Sequence, residues 1–515
     1  MQDRKRKLGV RSGGALLLMT AAASALALVF AGSGAAGVPG GQACNADGQI
    51  AGGGATLQVA AQQLWIQGYT SDICGNVGPG TTFSNGVTNN TAVVYNLTNL
   101  LQSPPQVLGT PNGSGAGRNL VSCRAVPFAG SDTPYDQATL ANLNSTPGLV
   151  DGNTWFPGAA TECTGGSLNT YQNPFYGTTG NYPFIGADAA HSDQTAPIMS
   201  FPVTGTAVAV GVYFGGTAGC PVNPQITGLQ LSGLFSGQTT NWNQLGNGGT
   251  TGTNYSGCNL AVRRDVRQDS SGTTQNFKNY LAAVDPTGTC STATGGTGGW
   301  TNLALNANNT LWPTGGSCSP LDRGTDATNT QGNLGVLDVC TGLNGPTATP
   351  GEICYADLPD FENLTYQAVA GFDTAQLPAA VGGGFVRPFN GHRANCDFAN
   401  TPTPASSNNG AVGLDPTDNW ALNQTPSRAN VANTGTGWPA CALTWDLVYT
   451  GLSTPTTTSA PGPNHQLNDD MRRTLYSYML YVLSGPGQAL PPTDYYQNLP
   501  NGLLGSEIAG FKANF

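Results

Sequence analysis

Apolar residues recur at helical spacing in three well-separated places. Leu57, Ala61, Leu64 and Trp65 follow the glycine run Gly52-Gly53-Gly54, and Phe277, Tyr280, Leu281 and Val284 follow Ser271-Gly272-Thr273. Met471, Leu475, Tyr478, Met479 and Val482 mark a third helix, with Asn468 as its expected cap and Gly485-Pro486 as its expected stop. Short β-branched or aromatic runs predict strands at Ala92 to Tyr95, Ala207 to Phe214, Leu260 to Val262 and Leu443 to Tyr449. Strands alternating with helices over this length predict an α/β architecture with parallel sheets. Ligands of such sheets sit at the strand carboxyl ends, beside helix N-termini.

The segments between these elements have a different character. Glycine, threonine, asparagine and proline dominate from Cys163 to Tyr182, Gly246 to Tyr255, Pro286 to Gly316 and Thr401 to Gly437, which predicts long loops. At the amino end, Arg4, Lys5, Arg6, Lys7 and Arg11 precede an apolar run from Ala15 to Phe30 and the small residues Ala31 to Gly37. That order predicts a cleaved secretory signal peptide over residues 1–36, and hence a secreted or periplasmic protein.

Removal of the leader takes away five of the 18 basic residues and one of the 28 acidic ones, leaving a strongly acidic chain. Lys278 and Lys512 are then its only lysines, so neither nucleic acid nor an anionic membrane is an expected partner. All 12 cysteines follow the leader, and an exported chain uses such an even set as disulfides, with a connectivity the spacing does not reveal. No C-x-x-C, P-loop, G-x-S-x-G or H-E-x-x-H pattern occurs, and His191, His392 and His465 are scattered. No cofactor or metal is expected.

Candidate chemistry lies in the glycine-rich turns. A helix N-terminus carries unpaired N–H groups and the positive end of the helix dipole, so it takes oxyanions without much net positive charge. Three segments could supply such ends: Gly53-Gly54-Ala55-Thr56-Leu57, Gly113-Ser114-Gly115-Ala116-Gly117 and Ser270-Ser271-Gly272-Thr273-Thr274. Arg267-Gln268-Asp269 precedes the third, placing a fork-shaped cation within a turn of it, with Asp269 able to orient the guanidinium. Asp132, in Gly130-Ser131-Asp132, suits an anion site only if the anion carries a proton, because a carboxylate accepts that hydrogen bond and repels sulfate.

In this order the segments resemble the phosphate-binding proteins of ABC importers (PstS-like), and more closely their secreted relatives, the DING proteins. Gly52 to Leu57, Gly113 to Gly115, Gly130 to Asp132 and Arg267 to Thr274 are similar to that family's motifs. Ser200 to Val203 and Trp438-Pro439 are similar to its crossings between lobes, and Leu231 to Leu245 to its signature helix and turn. The resemblance implies a two-lobed, type II periplasmic-binding-protein-like α/β fold with two hinge crossings and disulfide-pinned loop insertions. One lobe would span 49–201 plus 443–515, and the other 202–442. It implies donors from Thr56, Leu57, Ser114, Ser271, Gly272 and Thr273, a fork from Arg267, and Asp132 accepting from the phosphate hydroxyl. It also implies inorganic phosphate as partner, an ABC permease as a further one, and a monomer. Two other classes stay open: a DING-like protein with weak phosphatase activity, and a surface or structural protein reusing the fold. Gln58 replaces the usual proline after Thr-Leu, Arg118 adds a cation after the second turn, and the stretches after Asp132 and Thr273 are expanded.

Overall fold

A computed structural model of the chain describes residues 42–44, 48, 50–75, 81–82, 88–89, 92–95, 113–122, 126–133, 198–246, 253–269, 271–286, 299–304, 310–313, 332–344, 347–398, 434–449 and 469–515. The expected leader, the stretch 163–182, most of 286–316 and 401–437, and Asn468, Ser270, Cys123, Cys163, Cys290 and Cys318 lie outside the described residues.

The amino-terminal part supplies β1 (Ile50–Gly54), a single 3₁₀ turn (Thr56–Gln58), α1 (Val59–Asp72), β2 (Val93–Tyr95), α2 (Ser114–Ser122) and β3 (Phe128–Ser131). The middle of the chain supplies β4 (Ile198–Tyr213), α3 (Gly228–Ser236), β5 (Arg263–Asp265), α4 (Gly272–Val284), α5 (Gly332–Thr341), β6 (Glu352–Asp357), α6 (Leu358–Phe361) and β7 (Phe372–Thr374). The chain closes with β8 (Cys441–Tyr449), α7 (Asp469–Val482) and α8 (Asn501–Asn514).

Eight strands form one sheet in the order β2-β1-β3-β8-β4-β6-β5, with β7 also paired to β4. The sheet is mixed, which corrects the expectation of purely parallel pairing. β2, β1 and β3 run parallel, as do β5 and β6, but β8 is antiparallel to β3 and β4, and β4 is antiparallel to β6 and β7. The cause is that β4 and β8 lie side by side across the middle. β4 pairs with β8 from Ile198 to Ala207 and then with β6 from Val208 to Tyr213.

Nearly every residue of β4 is buried, so its sequence is mostly apolar without an exposed polar face, with Ser200, Thr204 and Thr206 buried among the rest. Pro202 cannot donate to the ladder, and the β4–β8 register shifts between Thr444 and Trp445, opposite it. Where β4 changes partner, Gly205 and Gln497 exchange backbone hydrogen bonds of 2.8 Å each.

Two further expectations change. The strand expected at Leu260 to Val262 forms three residues later, at Arg263–Asp265, leaving only an isolated bridge at Ala261. Gly485-Pro486 does not simply stop α7; a new short helix begins there, capped by the Ser484 hydroxyl. Proline is well suited to a first helical turn because its missing N–H has no partner there anyway.

Aromatic groupings pack on both halves of the sheet. Phe128 lies against Tyr478, with ring centroids 5.6 Å apart, and Tyr478 in turn meets Tyr69 edge-on at 5.3 Å. On the other half, Phe277 of α4 stacks on Tyr355 of β6 at 4.6 Å, and Phe235 of α3 closes on Phe277 at 4.8 Å. Disulfides join Cys44 to Cys74, Cys220 to Cys258, Cys340 to Cys354 and Cys396 to Cys441.

Candidate functional site

Two parallel pairs of strands, β1 with β3 and β5 with β6, run in opposite directions and bring their carboxyl ends toward the middle of the sheet. β1 leads to Thr56 and Leu57, β3 to Asp132, β5 to Arg267, and β6 ends in Asp357. All three glycine-rich segments singled out in the sequence begin helical structure: the 3₁₀ turn at Thr56, α2 at Ser114 and α4 at Gly272.

The corner containing β1, α2 and β3 is drawn together by backbone contact. Ala55 N–H donates to the Gly130 carbonyl at 2.9 Å, and Gly113 N–H donates to the Gly54 carbonyl at 2.9 Å. A β-carbon on Gly117 would lie 2.3 Å from the Gly130 carbonyl, so only glycine allows this approach. Thr56 and Leu57 reach this corner as the ends of β1, and the Leu57 carbonyl is held by the Tyr496 hydroxyl at 2.7 Å.

Ser114, at the start of α2, grips Asp132 twice. Its hydroxyl donates to Asp132 Oδ2 at 2.7 Å and accepts from the Asp132 N–H at 3.0 Å. Gly272 packs onto the same pair: a β-carbon there would lie 2.3 Å from Asp132 Cβ and 2.5 Å from Ser114 Oγ. Asn276, one turn into α4, donates to the Asp132 carbonyl at 3.3 Å. Ser271 caps α4 by accepting from Thr274 N–H at 3.3 Å. Ser114, Asp132, Gly272 and Thr273 are therefore neighbours, although they are up to 159 positions apart in the chain.

Arg267 is buried and held on two sides. Its Nε donates to Asp269 Oδ1 at 2.7 Å and its Nη2 to Asp269 Oδ2, while Nη1 donates to Asn333 Oδ1 at 2.9 Å. Asp269 thus orients the guanidinium as expected, and it also accepts from Gly332 N–H at the start of α5 at 3.1 Å. Since a guanidinium carries five N–H donors, these bonds leave two for other acceptors. The positive charge stays fixed because Asp269 and Asp357 outweigh the cost of burying it.

Asp132 is pushed up to about 7 by burial, against the opposing effects of the Ser114 hydroxyl, Arg267 and the Thr273 backbone N–H. Its Oδ1, the Thr133 hydroxyl and the Thr273 hydroxyl are buried with no hydrogen-bond partner among the described residues. Buried polar atoms are normally satisfied, so this group at the strand ends has the capacity to bond a polar partner.

Three contributors escaped the sequence reading. Tyr355, in the middle of β6, accepts from the Arg267 N–H at 3.3 Å and pairs with the Thr274 hydroxyl at 2.7 Å, tying the arginine loop to α4. Asn333 carries the guanidinium on one side and donates to Asp357 Oδ2 and to Asp360 Oδ2 on the other, the latter at 2.9 Å. Asp357 closes the apolar run Ile353-Cys354-Tyr355-Ala356, and an acid at the end of a buried strand was the signal available for it.

Comparison with known proteins agrees with this geometry at the level of fold. Residues 187–381 match the family model described as the PBP superfamily domain. Two Pseudomonas aeruginosa proteins named alkaline phosphatase L are similar to the chain: one is 28% identical over 269 residues, 52% of this chain and 53% of that protein. The other is 30% identical over 203 residues, covering 39% and 42%. The chain therefore matches about half the length of these curated relatives. A structure titled phosphate-binding protein from Stenotrophomonas maltophilia superposes with a TM-score of 0.50 at 16% identity, covering 90% of this chain and 93% of that one. The fold is a mixed α/β, PBP-like one.

Proposed function

We propose that the protein is an extracytoplasmic phosphate receptor, which binds one inorganic phosphate ion at the strand ends and passes it to an ABC importer. Support comes from the chemistry that converges there: Arg267 with two spare N–H donors, three helix starts, and an acid whose free oxygen suits a protonated anion. The name of the solved phosphate-binding protein that superposes on the chain points the same way.

In this reading the phosphate oxygens take the N–H groups of Thr56, Leu57, Ser114 and Gly272, the hydroxyls of Ser271 and Thr273, and the fork of Arg267. Asp132 accepts the proton of the ion. The lobes, 49–201 plus 443–515 and 202–442, close like a hinge about β4 and β8. Charge-assisted hydrogen bonds contribute roughly 1.5–3 kcal/mol each, and micromolar binding needs about 8 kcal/mol net. Several such bonds leave room for the costs of association and dehydration.

The observation that carries the proposal is the fixed guanidinium beside Asp132, and calorimetric titration with phosphate tests it. One-to-one binding at micromolar affinity or tighter is expected, with a loss of at least roughly a hundredfold in Arg267→Ala, since truncating a buried charged partner removes several kcal/mol. Unchanged affinity in that variant would overturn the assignment.

A second reading, weak hydrolysis of phosphate esters, is favoured by the name of the two Pseudomonas aeruginosa relatives. Turnover of a chromogenic phosphoester by the purified protein, abolished in Arg267→Ala, would establish it. On either reading the chain acts outside the cytoplasm, after removal of residues 1–36, and the receptor works as a monomer.

A further inference from the structure

Asp357 has no part in the phosphate site as the sequence describes it, yet it is placed like a member. It ends β6, next to β5 in a parallel pair, so its side chain and Arg267 leave the sheet at the same edge. It is 1% exposed, and Asn333 donates to its Oδ2. Its other oxygen, Oδ1, has no hydrogen-bond partner among the described residues, the same condition as Asp132 Oδ1. Thr273 lies between the two acids, its backbone N–H bearing on Asp132 and its hydroxyl on Asp357.

Resting on the receptor reading above, we propose that Asp357 is a second acidic acceptor of the site, so that bound phosphate is held with two protons shared among the ion, Asp132 and Asp357. One proton arrives with hydrogen phosphate, and the second is taken up from solvent by the carboxyl pair as the ion enters, so one O–H bond forms at the site as one breaks in the solvent acid that supplies it. Two like charges beside one ion cannot both stay bare in a buried site, and a second proton removes the conflict.

The surroundings fit this account. Asp357 is pushed well up by burial, then by Asp132 and Asp360, with Arg267 opposing. Asp360 on α6 is itself raised by burial, and Asp494 adds to that. The tyrosines facing the acids, Tyr95, Tyr355 and Tyr496, are all pushed above their ordinary range, mainly by burial, so none of them exchanges a proton near neutrality. Asp269 is engaged by Arg267 and the start of α5. The titrating groups left at the site are the acids and the ion.

Phosphate affinity should therefore fall by about tenfold per pH unit between about pH 8 and pH 9, where the free ion is hydrogen phosphate and a proton must be supplied. Asp357→Asn keeps an acceptor for Asn333 and should bind with less than about a threefold change over that range. The unaltered protein gives a second readout: titration near pH 8.5 in buffers of different ionisation enthalpy should record uptake of about one proton per phosphate. Phosphate binding with no proton uptake, or an Asp357→Asn profile as steep as that of the wild type, overturns the role of Asp357 and leaves the receptor reading intact. No phosphate binding at any pH removes both.

Discussion

Two buried carboxyls, Asp132 at the strand ends and Asp446 in the middle of β8, are raised to about the same level, near 7, and by the same main cause, burial. Each also keeps one oxygen without a hydrogen-bond partner among the described residues, Oδ1 in Asp132 and Oδ2 in Asp446. Their surroundings differ. Asp446 Oδ1 accepts from the amides of Gln58 and Gln62, at 2.9 Å each, and the Tyr478 hydroxyl backs Gln62 at 2.6 Å. Asp132 has a hydroxyl, a helix start, a guanidinium and a second acid. A raised acid alone therefore does not identify a ligand site. Donors and a fixed cation sharing the same space do.

The Asp446 group also accounts for a sequence oddity. Gln58 stands where the resembling family has proline, and its side chain donates to Asp446 while its Oε1 presses on Gly130, within 1.9 Å of where a β-carbon would be. Glutamine here joins the first helix start to β8 and to the strand that carries Asp132, a contact that proline could not make.

Gly272→Ala should have the largest effect on the comparison, because the added methyl would displace Asp132 and Ser114 while leaving the Asp446 group untouched. Phosphate affinity should fall by roughly a hundredfold, with about 1–3 kcal/mol of lost stability from overpacking; calorimetry and denaturant titration read the two. Native-like affinity would show that the tight corner around Asp132 is not the site.

A smaller effect is expected from Asp132→Asn, which substitutes N–H donors for a lone acceptor. The preference for phosphate over sulfate should drop by at least about tenfold, since a donor no longer repels the unprotonated ion. Competition titration with sulfate checks this, and undiminished preference would move Asp132 into the same class as Asp446.

The smallest change in binding should come from Asp446→Asn, with affinity altered less than about threefold because Asp446 is bonded to Gln58 and Gln62 and not to Arg267 or Ser114. Its signature is in stability. Asp446 titrates higher in the folded chain than in the unfolded one, so the stabilisation present below about pH 4 is lost as the pH rises through about 7. Asn removes that loss, and the variant should gain on the order of 4 kcal/mol at pH 8 relative to the wild type, a difference that vanishes at low pH. A variant that loses phosphate binding instead would show that the two acids act together.

Local pattern carried much of this. A glycine-rich turn followed by apolar residues at helical spacing is a local event, so the starts of α1 and α4 could be located from the chain alone, and the glycine-rich turn before α2 marked a possible third helix start. The pairing of Arg267 with Asp269 was legible for the same reason, the two residues being one turn apart. The strand near Leu260 was misplaced because the apolar residues there precede β5 rather than form it, and Arg263–Asp265 pairs with β6 despite its charges.

Sequence by itself determined which turns could present backbone donors, that an arginine and an acid accompany them, and that cysteines would be paired. Only the tertiary structure decided that Asn333 and Asp357 stand beside Arg267, that Gly272 meets Asp132, and that Asp446 is held by Gln58 and Gln62. The physical reason is range. Helix starts and turn chemistry depend on a few consecutive residues, whereas contacts between strand ends depend on which strands become neighbours, and that is set by burial of the whole sheet.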